Sequence, residues 1–259
     1  MRFSFAPSDR CRVMGILNAT PDSFSDGGEL DDDAALDARI WAVLDEGADI
    51  LDVGGESTRP GHDPVPADEE TRRVVRVIRA VRRIDAEVPI SIDTQKAAVA
   101  RAALDAGASL VNDVSGLGDP DMAAVVRDAG CPVVLMRHKD LEGDIVAACR
   151  GELVGIVARA RAAGIQDDRI ILDPGLGFGA RPGADPEDNL ALVDRIADYA
   201  QGFPVLIGGS RKRFVGDMMG EADPKHRLEG SLEVARRAVA AGAAIVRVHD
   251  VGATVRALA

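Results

Sequence analysis

With 259 residues, 46% of them hydrophobic, the chain is long enough to close one large core, about the length a single α/β barrel takes, and it calls for no linker. A formal charge of -12 at pH 7 removes the basic face that binding to a nucleic-acid backbone uses, while leaving room for a local anion pocket. Cys11, Cys131 and Cys149 are odd in number and far apart, which argues against a disulfide frame or a zinc site. Met1 to Arg10 lacks a signal-peptide core and no run approaches the roughly 18 apolar residues of a membrane span, so a soluble cytoplasmic protein with no membrane association is expected.

In chain order, short β-branched apolar runs alternate with alanine- and arginine-rich segments of helical character. Strands are expected at Arg12 to Leu17, Ile50 to Val53, Ile90 to Ile92, Leu110 to Asn112, Val133 to Met136, Ile170 to Leu172, Val205 to Ile207 and Ala244 to Val248. Helices are expected near Asp33 to Glu46, Ala67 to Ile84, Lys96 to Ala106, Asp121 to Ala129, Gly143 to Ala163, Pro186 to Ala200 and Leu228 to Ala241. Gly47, Gly107, Gly130, Gly164 and Gly242 stand just after helical segments, where a C-terminal cap wants positive φ. Eight strands in regular βα alternation point to one domain over residues 1–259 with the α/β architecture of a (β/α)8 TIM barrel; a doubly wound open sheet is the alternative that pattern alone leaves.

Barrel chemistry sits at the C-terminal ends of the strands, so the residues just past each strand carry the functional reading. After the first strand, Asn18 opens a long polar loop, and its amide oxygen suits a hard cation such as Mg²⁺ that substrate phosphates also hold. After the second comes Gly54-Gly55-Glu56-Ser57-Thr58-Arg59-Pro60-Gly61-His62, whose flanking glycines read as hinges and whose Arg59 is placed to close over an anion; His62 reads as solvent-exposed. Asp93, Asn112 and Asp173 then end three further strands. A ring of Asp and Asn offers acceptors and a donor to a flat, nitrogen-rich heterocycle, and a 2-amino-4-oxopyrimidine edge presents N–H and NH₂ side by side for one carboxylate. Asp173, stopped by Pro174, is the choice for that contact; a salt-bridge lattice or a helix cap is the bland reading for it, and more so for Asp52 and Asp113. After the seventh strand, Lys212 in Ser210-Arg211-Lys212 opens a helix-like segment, and after the eighth, Arg247 and His249 share one face. Basic groups at three strand ends argue for a phosphate or diphosphate.

These pieces together, from Met14-Gly15-Ile16-Leu17-Asn18-Ala19-Thr20-Pro21-Asp22-Ser23-Phe24-Ser25-Asp26-Gly27-Gly28 through Asp52-Val53-Gly54-Gly55-Glu56-Ser57-Thr58-Arg59-Pro60-Gly61, Ser91-Ile92-Asp93-Thr94, Asn112-Asp113-Val114-Ser115-Gly116, Asp173-Pro174-Gly175-Leu176-Gly177-Phe178-Gly179 and Ser210-Arg211-Lys212 to Arg247-Val248-His249-Asp250, resemble the dihydropteroate synthase family over nearly the whole chain and in the family's order. The resemblance implies a (β/α)8 barrel that joins 7,8-dihydropterin-6-ylmethyl diphosphate to 4-aminobenzoate, giving dihydropteroate and diphosphate on the route to folate. It implies that Asp93, Asn112, Asp173 and Lys212 contact the pterin, that Asn18 is a magnesium ligand, and that Arg59, Arg247 and His249 contact diphosphate. Thr58, Pro60, Phe178 and Ser210 match positions around the aminobenzoate, Arg59, Lys212 and Asp93 stand as the catalytic set, and a homodimer is implied. The chain departs from the family's wording twice. Ala180 and Arg181 follow Phe178-Gly179 where a lysine is usual, and Met136-Arg137-His138-Lys139-Asp140 replaces Met-His-Met-Gln-Gly before a shortened segment.

Two other readings compete. One is a pterin-binding relative with a different acceptor amine or no synthase activity, such as a methyltransferase-type pterin domain; the other is a non-catalytic barrel serving as a regulatory or scaffold partner. Retention of Ser210-Arg211-Lys212 together with Arg247-Val248-His249 favours the synthase, because a methyl-transfer domain has no diphosphate to hold.

Overall fold

The computed structural model describes residues 10–19, 33–56, 64–178 and 185–259. Strands β1 (Arg12–Asn18), β2 (Ile50–Gly54), β3 (Ile90–Asp93), β4 (Leu110–Asp113), β5 (Val133–Met136), β6 (Ile170–Asp173), β7 (Leu206–Ile207) and β8 (Ile245–Val248) form one parallel sheet in the order β6-β5-β4-β3-β2-β1-β8-β7. The two ends of that order meet: Leu172 bridges to Val205, and its N–H donates to the Pro204 carbonyl at 2.9 Å. The sheet is therefore the closed barrel, and the open doubly wound alternative does not apply.

Helices cover the outside. They are α1 (Asp33–Asp45), α2 (Ala67–Ile84), α3 (Ala97–Ala106), α4 (Met122–Ala129), α5 (Ile145–Ala162), α6 (Pro186–Asp194), α7 (Ile196–Tyr199), α8 (Arg213–Met219), α9 (Leu228–Ala240) and α10 (Val251–Leu258). The single helix expected from Pro186 to Ala200 is interrupted at Arg195, and across the interruption the Tyr199 hydroxyl donates to the Leu192 carbonyl at 2.8 Å. All five glycines expected to leave helices do so with positive φ, from 62° at Gly130 to 117° at Gly107. No described helix is long and apolar enough to cross a membrane.

Two separate apolar cores result. The larger lies between strands and helices; the smaller is a floor inside the barrel made by Met14, Ile50, Leu110, Val134, Ile171, Leu206 and Ile245. Side chains two positions apart on a strand share a face. The next inward position on each of those strands is therefore Ile16, Asp52, Asn112, Met136, Asp173, Gly208 and Arg247, and on β3 Asp93 follows the buried Ser91. The polar residues of the mouth stand directly above an apolar floor because the strand period puts them there.

Gly15 lies on the outer face of β1, where an added Cβ would meet Val43 at 2.8 Å and Val251 at 2.9 Å. Its lack of a side chain sets how closely α1 and α10 approach the sheet. Gly15→Ala is expected to destabilise the fold by about 1–3 kcal/mol, the usual cost of overpacking a filled core, seen as a lower urea midpoint with an unchanged slope.

Candidate active site

At the centre of the mouth the Arg247 guanidinium joins two strands' carboxylates, with Nε donating to Asp52 Oδ2 at 2.5 Å and Nη2 to Asp93 Oδ2 at 2.6 Å. The Asn112 amide adds a longer contact to Asp52 at 3.3 Å. Asp52 thus belongs to an internal salt-bridge lattice, as the bland reading had it, and Asp93 shares the same arginine. One guanidinium between two carboxylates leaves a net negative charge out of water. Burial pushes the Asp93 carboxyl up to about 7, against the pull of Arg247 and with the repulsion of Asp52 and Glu70. The second oxygens of Asp52 and Asp93, the amide oxygen of Asn112 and the Ser91 hydroxyl are buried with no hydrogen-bond partner among the described residues. Buried acceptors without donors are costly. Here they form an acceptor-rich face.

Asp173, at the end of β6, accepts the Gly175 N–H on Oδ1 at 2.7 Å, and Asp113, by contrast, points into its own turn, accepting the Ser115 and Leu117 amides and the Ser115 hydroxyl. Burial raises both carboxyls; Lys212 is the chief opposing influence at Asp173 and Ser115 at Asp113. Asp113 is accounted for as a turn residue, Asp173 as a mouth residue.

Lys212 stands at the N-terminus of α8, with Nζ donating to the Leu176 carbonyl at 2.5 Å and lying 4.1 Å from the centroid of the Phe178 ring. Burial brings its ammonium down to about 8, against the attraction of Asp173. Behind it, buried Arg227 donates to the carbonyls of Arg211 and Lys212 at 3.1 and 3.2 Å, and Arg211, with φ 59°, pairs with Asp250. Ser210 Oγ lies 3.0 Å from His249 Nδ1 and accepts the His249 N–H at 3.2 Å, so the loops after β7 and β8 are tied together.

The loop after β2 is anchored from below. Lys96 bridges Glu56 and Glu70, Thr94 donates to Glu70 at 2.7 Å, Arg73 donates to the Gly55 carbonyl at 3.2 Å, and Glu56 accepts the Val65 N–H at 3.1 Å. Gly55 is buried against α2, where a Cβ would lie 2.9 Å from both Glu70 and Val74. It serves close packing, not a hinge. Thr58, Arg59, Pro60 and His62 lie outside the described residues, as do Thr20 to Gly28 and the Ala180-Arg181 pair.

Asn18, half-buried at the end of β1, lies in one row with Gly54, Asp93 and Asn112 across four adjacent strands. Among the described residues no three His, Cys, Asp or Glu side chains gather as a metal cage. A single amide oxygen suits Mg²⁺ where waters and phosphate oxygens supply the remaining ligands.

The site therefore brings together Asn18, Asp93, Asn112, Asp173, Phe178, Ser210, Lys212, Arg247 and His249 at the C-terminal ends of the strands and the loops that follow them. Asp52, held in reserve by the sequence reading, is central; its place two positions beyond Ile50 was the available signal. The role of Arg137, 2% exposed, was missed.

Residues 14–249 match the family described as pterin binding enzyme. A dihydropteroate synthase of Synechocystis sp. is 42% identical over 255 residues, covering 94% of this chain and 86% of the relative. Among solved structures, Xanthomonas albilineans dihydropteroate synthase with 4-aminobenzoic acid superposes with a TM-score of 0.89 at 45% identity, over 96% of this chain and 91% of that one. A structure from the same organism in complex with 7,8-dihydropteroate gives a TM-score of 0.87 at 43% identity, over 96% and 92%.

The lowered Lys212 value has a measurable sign. The charged form costs folding stability at every pH below about 8, and the cost fades between about 8 and the ordinary lysine value of about 10.4, because across that window the unfolded chain holds the extra proton. Lys212→Met is expected to raise the melting temperature most near pH 7 and progressively less toward pH 10 in the unliganded protein. A calorimetric gain that grew with pH would contradict the burial cost.

Proposed function

Since the chain belongs to the dihydropteroate synthases of the pterin-binding enzyme family, we propose that its barrel mouth performs their condensation, joining 7,8-dihydropterin-6-ylmethyl diphosphate to 4-aminobenzoate with release of diphosphate. The observation that carries this reading is the set of inward acceptors. Asp93 Oδ1 and Asn112 Oδ1 are buried without donors, Asp173 stands on the neighbouring wall, and a lysine lies across an aromatic ring beside them. A pterin edge carries ring N–H and NH₂ donors, and a carboxylate accepts two of them side by side. Asp173 takes that pair, Asp93 and Asn112 take the remaining ring edge, and Lys212 donates to ring oxygen or nitrogen.

The chemistry is a substitution at the methylene carbon. The C–O bond breaks with its electron pair leaving on diphosphate, and the positive charge left on carbon spreads into the electron-rich dihydropterin. The neutral arylamine nitrogen then forms the new C–N bond and gives up a proton to solvent. Asp93 and Asp52 place negative charge beside the ring as positive charge develops in it, an electrostatic contribution that needs no reorganisation during the step. The family resemblance assigns Arg59, Arg247 and His249 to the departing diphosphate, and Thr58, Pro60, Phe178 and Ser210 to the amine. Asn18 would hold Mg²⁺, which, when bound, neutralises leaving-group charge. Water, the competing nucleophile, has to be kept from the methylene carbon until the amine attacks. The protein is proposed to work as a cytoplasmic homodimer, checked by light scattering of the purified chain.

The deciding experiment is diphosphate release by purified protein given the pterin diphosphate, with and without 4-aminobenzoate and Mg²⁺. Release that requires all three components is expected. Pterin binding without amine-dependent release would favour the relative with another acceptor. Asp173→Asn is expected to weaken pterin binding by about 10- to 100-fold, the range for losing a hydrogen bond to a charged group, with a much smaller change in kcat. Unaltered pterin affinity in titration calorimetry would remove Asp173 from the contact.

A further inference from the structure

The stretch after β6 from Asp173 to Phe178 has no regular structure, yet its carbonyls are almost all engaged by two cations, one buried and one half-buried. Arg137, the residue after β5, donates from Nε to the Pro174 carbonyl at 2.6 Å and from Nη2 to the carbonyls of Gly175 at 2.8 Å and Phe178 at 3.0 Å, while Nη1 donates to the Lys139 carbonyl. The Leu176 carbonyl between them accepts from Lys212. Arg137 is 2% exposed and none of its hydrogen bonds among the described residues goes to a carboxylate.

Its backbone holds the same loop. The Arg137 N–H donates to the Asp173 carbonyl at 3.1 Å, and its own carbonyl lies 2.2 Å from where a Cβ on Gly175, at φ 66°, would stand. Only a glycine lets the two chains pass this closely. The planar fork of a guanidinium suits this geometry, since its donors diverge in fixed directions and reach carbonyls one and four residues apart in sequence, which a lysine's single ammonium cannot do in the same way.

We propose that Arg137 is a positioning residue for the pterin site, clamping the 174–178 loop so that Asp173 presents its free edge to the ring and Phe178 lies under Lys212. The inference rests on the reading of the mouth as a pterin site. It assigns a purpose to the residue at which the chain departs from its family's wording after β5. The clamp acts through the loop: Arg137 touches Asp173 only through backbone, and Phe178 only through its carbonyl.

The test compares wild type with Arg137→Lys and Arg137→Gln, using titration calorimetry with the dihydropterin substrate, steady-state kinetics, and amide exchange over residues 174–178. Arg137→Lys keeps a cation in place and is the variant expected to fold. It should weaken pterin binding at least tenfold and raise KM for the pterin diphosphate in proportion, with kcat within about threefold, while exchange in the loop rises at least tenfold and exchange in β1 to β4 stays unchanged. Arg137→Gln, if folded, should show the same pattern more strongly. Wild-type pterin affinity and loop exchange in Arg137→Lys would overturn the proposal, as would an equal rise in exchange throughout the barrel. Binding is read separately from turnover, so lack of diphosphate release in wild type would count against the reaction alone, whereas normal binding in the variant counts against the clamp.

Discussion

Arg247 is the cation on which the barrel mouth depends. Two aspartates on adjacent strands face the same enclosed space, and without a positive partner their mutual repulsion and loss of hydration would force at least one to be neutral. The guanidinium arrives from β8 and donates to one oxygen of each. It therefore stabilises the ionised forms while leaving the second oxygen of each carboxylate turned inward. The pairing is incomplete in charge as well as in hydrogen bonds. That shortfall separates a binding mouth from a structural salt bridge, because donors from outside can complete it.

The same logic extends to the cation side. Lys212 is held over Phe178 and against a backbone carbonyl, both weaker partners than a carboxylate. Burial leaves its proton loosely held, and burial makes Asp93 hold its own more tightly than an exposed carboxyl would. A ring that brings donors to the acids and an oxygen or nitrogen acceptor to the lysine improves both. Completing those bonds from within the mouth is how an enclosed polar site gains affinity despite the cost of drying it.

Much of this architecture was legible in the chain. The eight strands could be found because a strand buried on both faces reads as a short apolar run, and the runs end in polar groups where they meet the mouth. The helix ends were legible through glycines at positive φ. Asp173 and Lys212 could be placed because Pro174 stops one element and Lys212 opens another. Asp52 was harder, since an acid two residues short of a strand's end looks like a capping residue until the floor residue Ile50 fixes its face. Gly55 was misread as a hinge because sequence does not show that Glu70 and Val74 fill the space a side chain would take. Arg137 resisted for a similar reason: its partners are carbonyls, which every residue carries and no motif records.

These misreadings share a physical origin. Local sequence specifies what a backbone segment prefers, whereas the site is completed by contacts between loops that are distant in the chain. Arg137 and Phe178 are 41 residues apart, Ser210 and His249 are 39 apart, and Asp52 and Arg247 are 195 apart. In a closed barrel such pairs become neighbours because the strands are joined edge to edge in a ring, so strand order fixes which loops can meet. β5 and β6 are adjacent, hence Arg137 reaches the loop that bears Asp173; β7 and β8 are adjacent, hence Ser210 meets His249. The arginine on β8 reaches acids on β2 and β3 across the interior, since all three point inward at nearly the same height above the apolar floor. Ring closure between β6 and β7 therefore does more than remove sheet edges, for it sets Lys212, after β7, beside the loop after β6 that begins at Asp173.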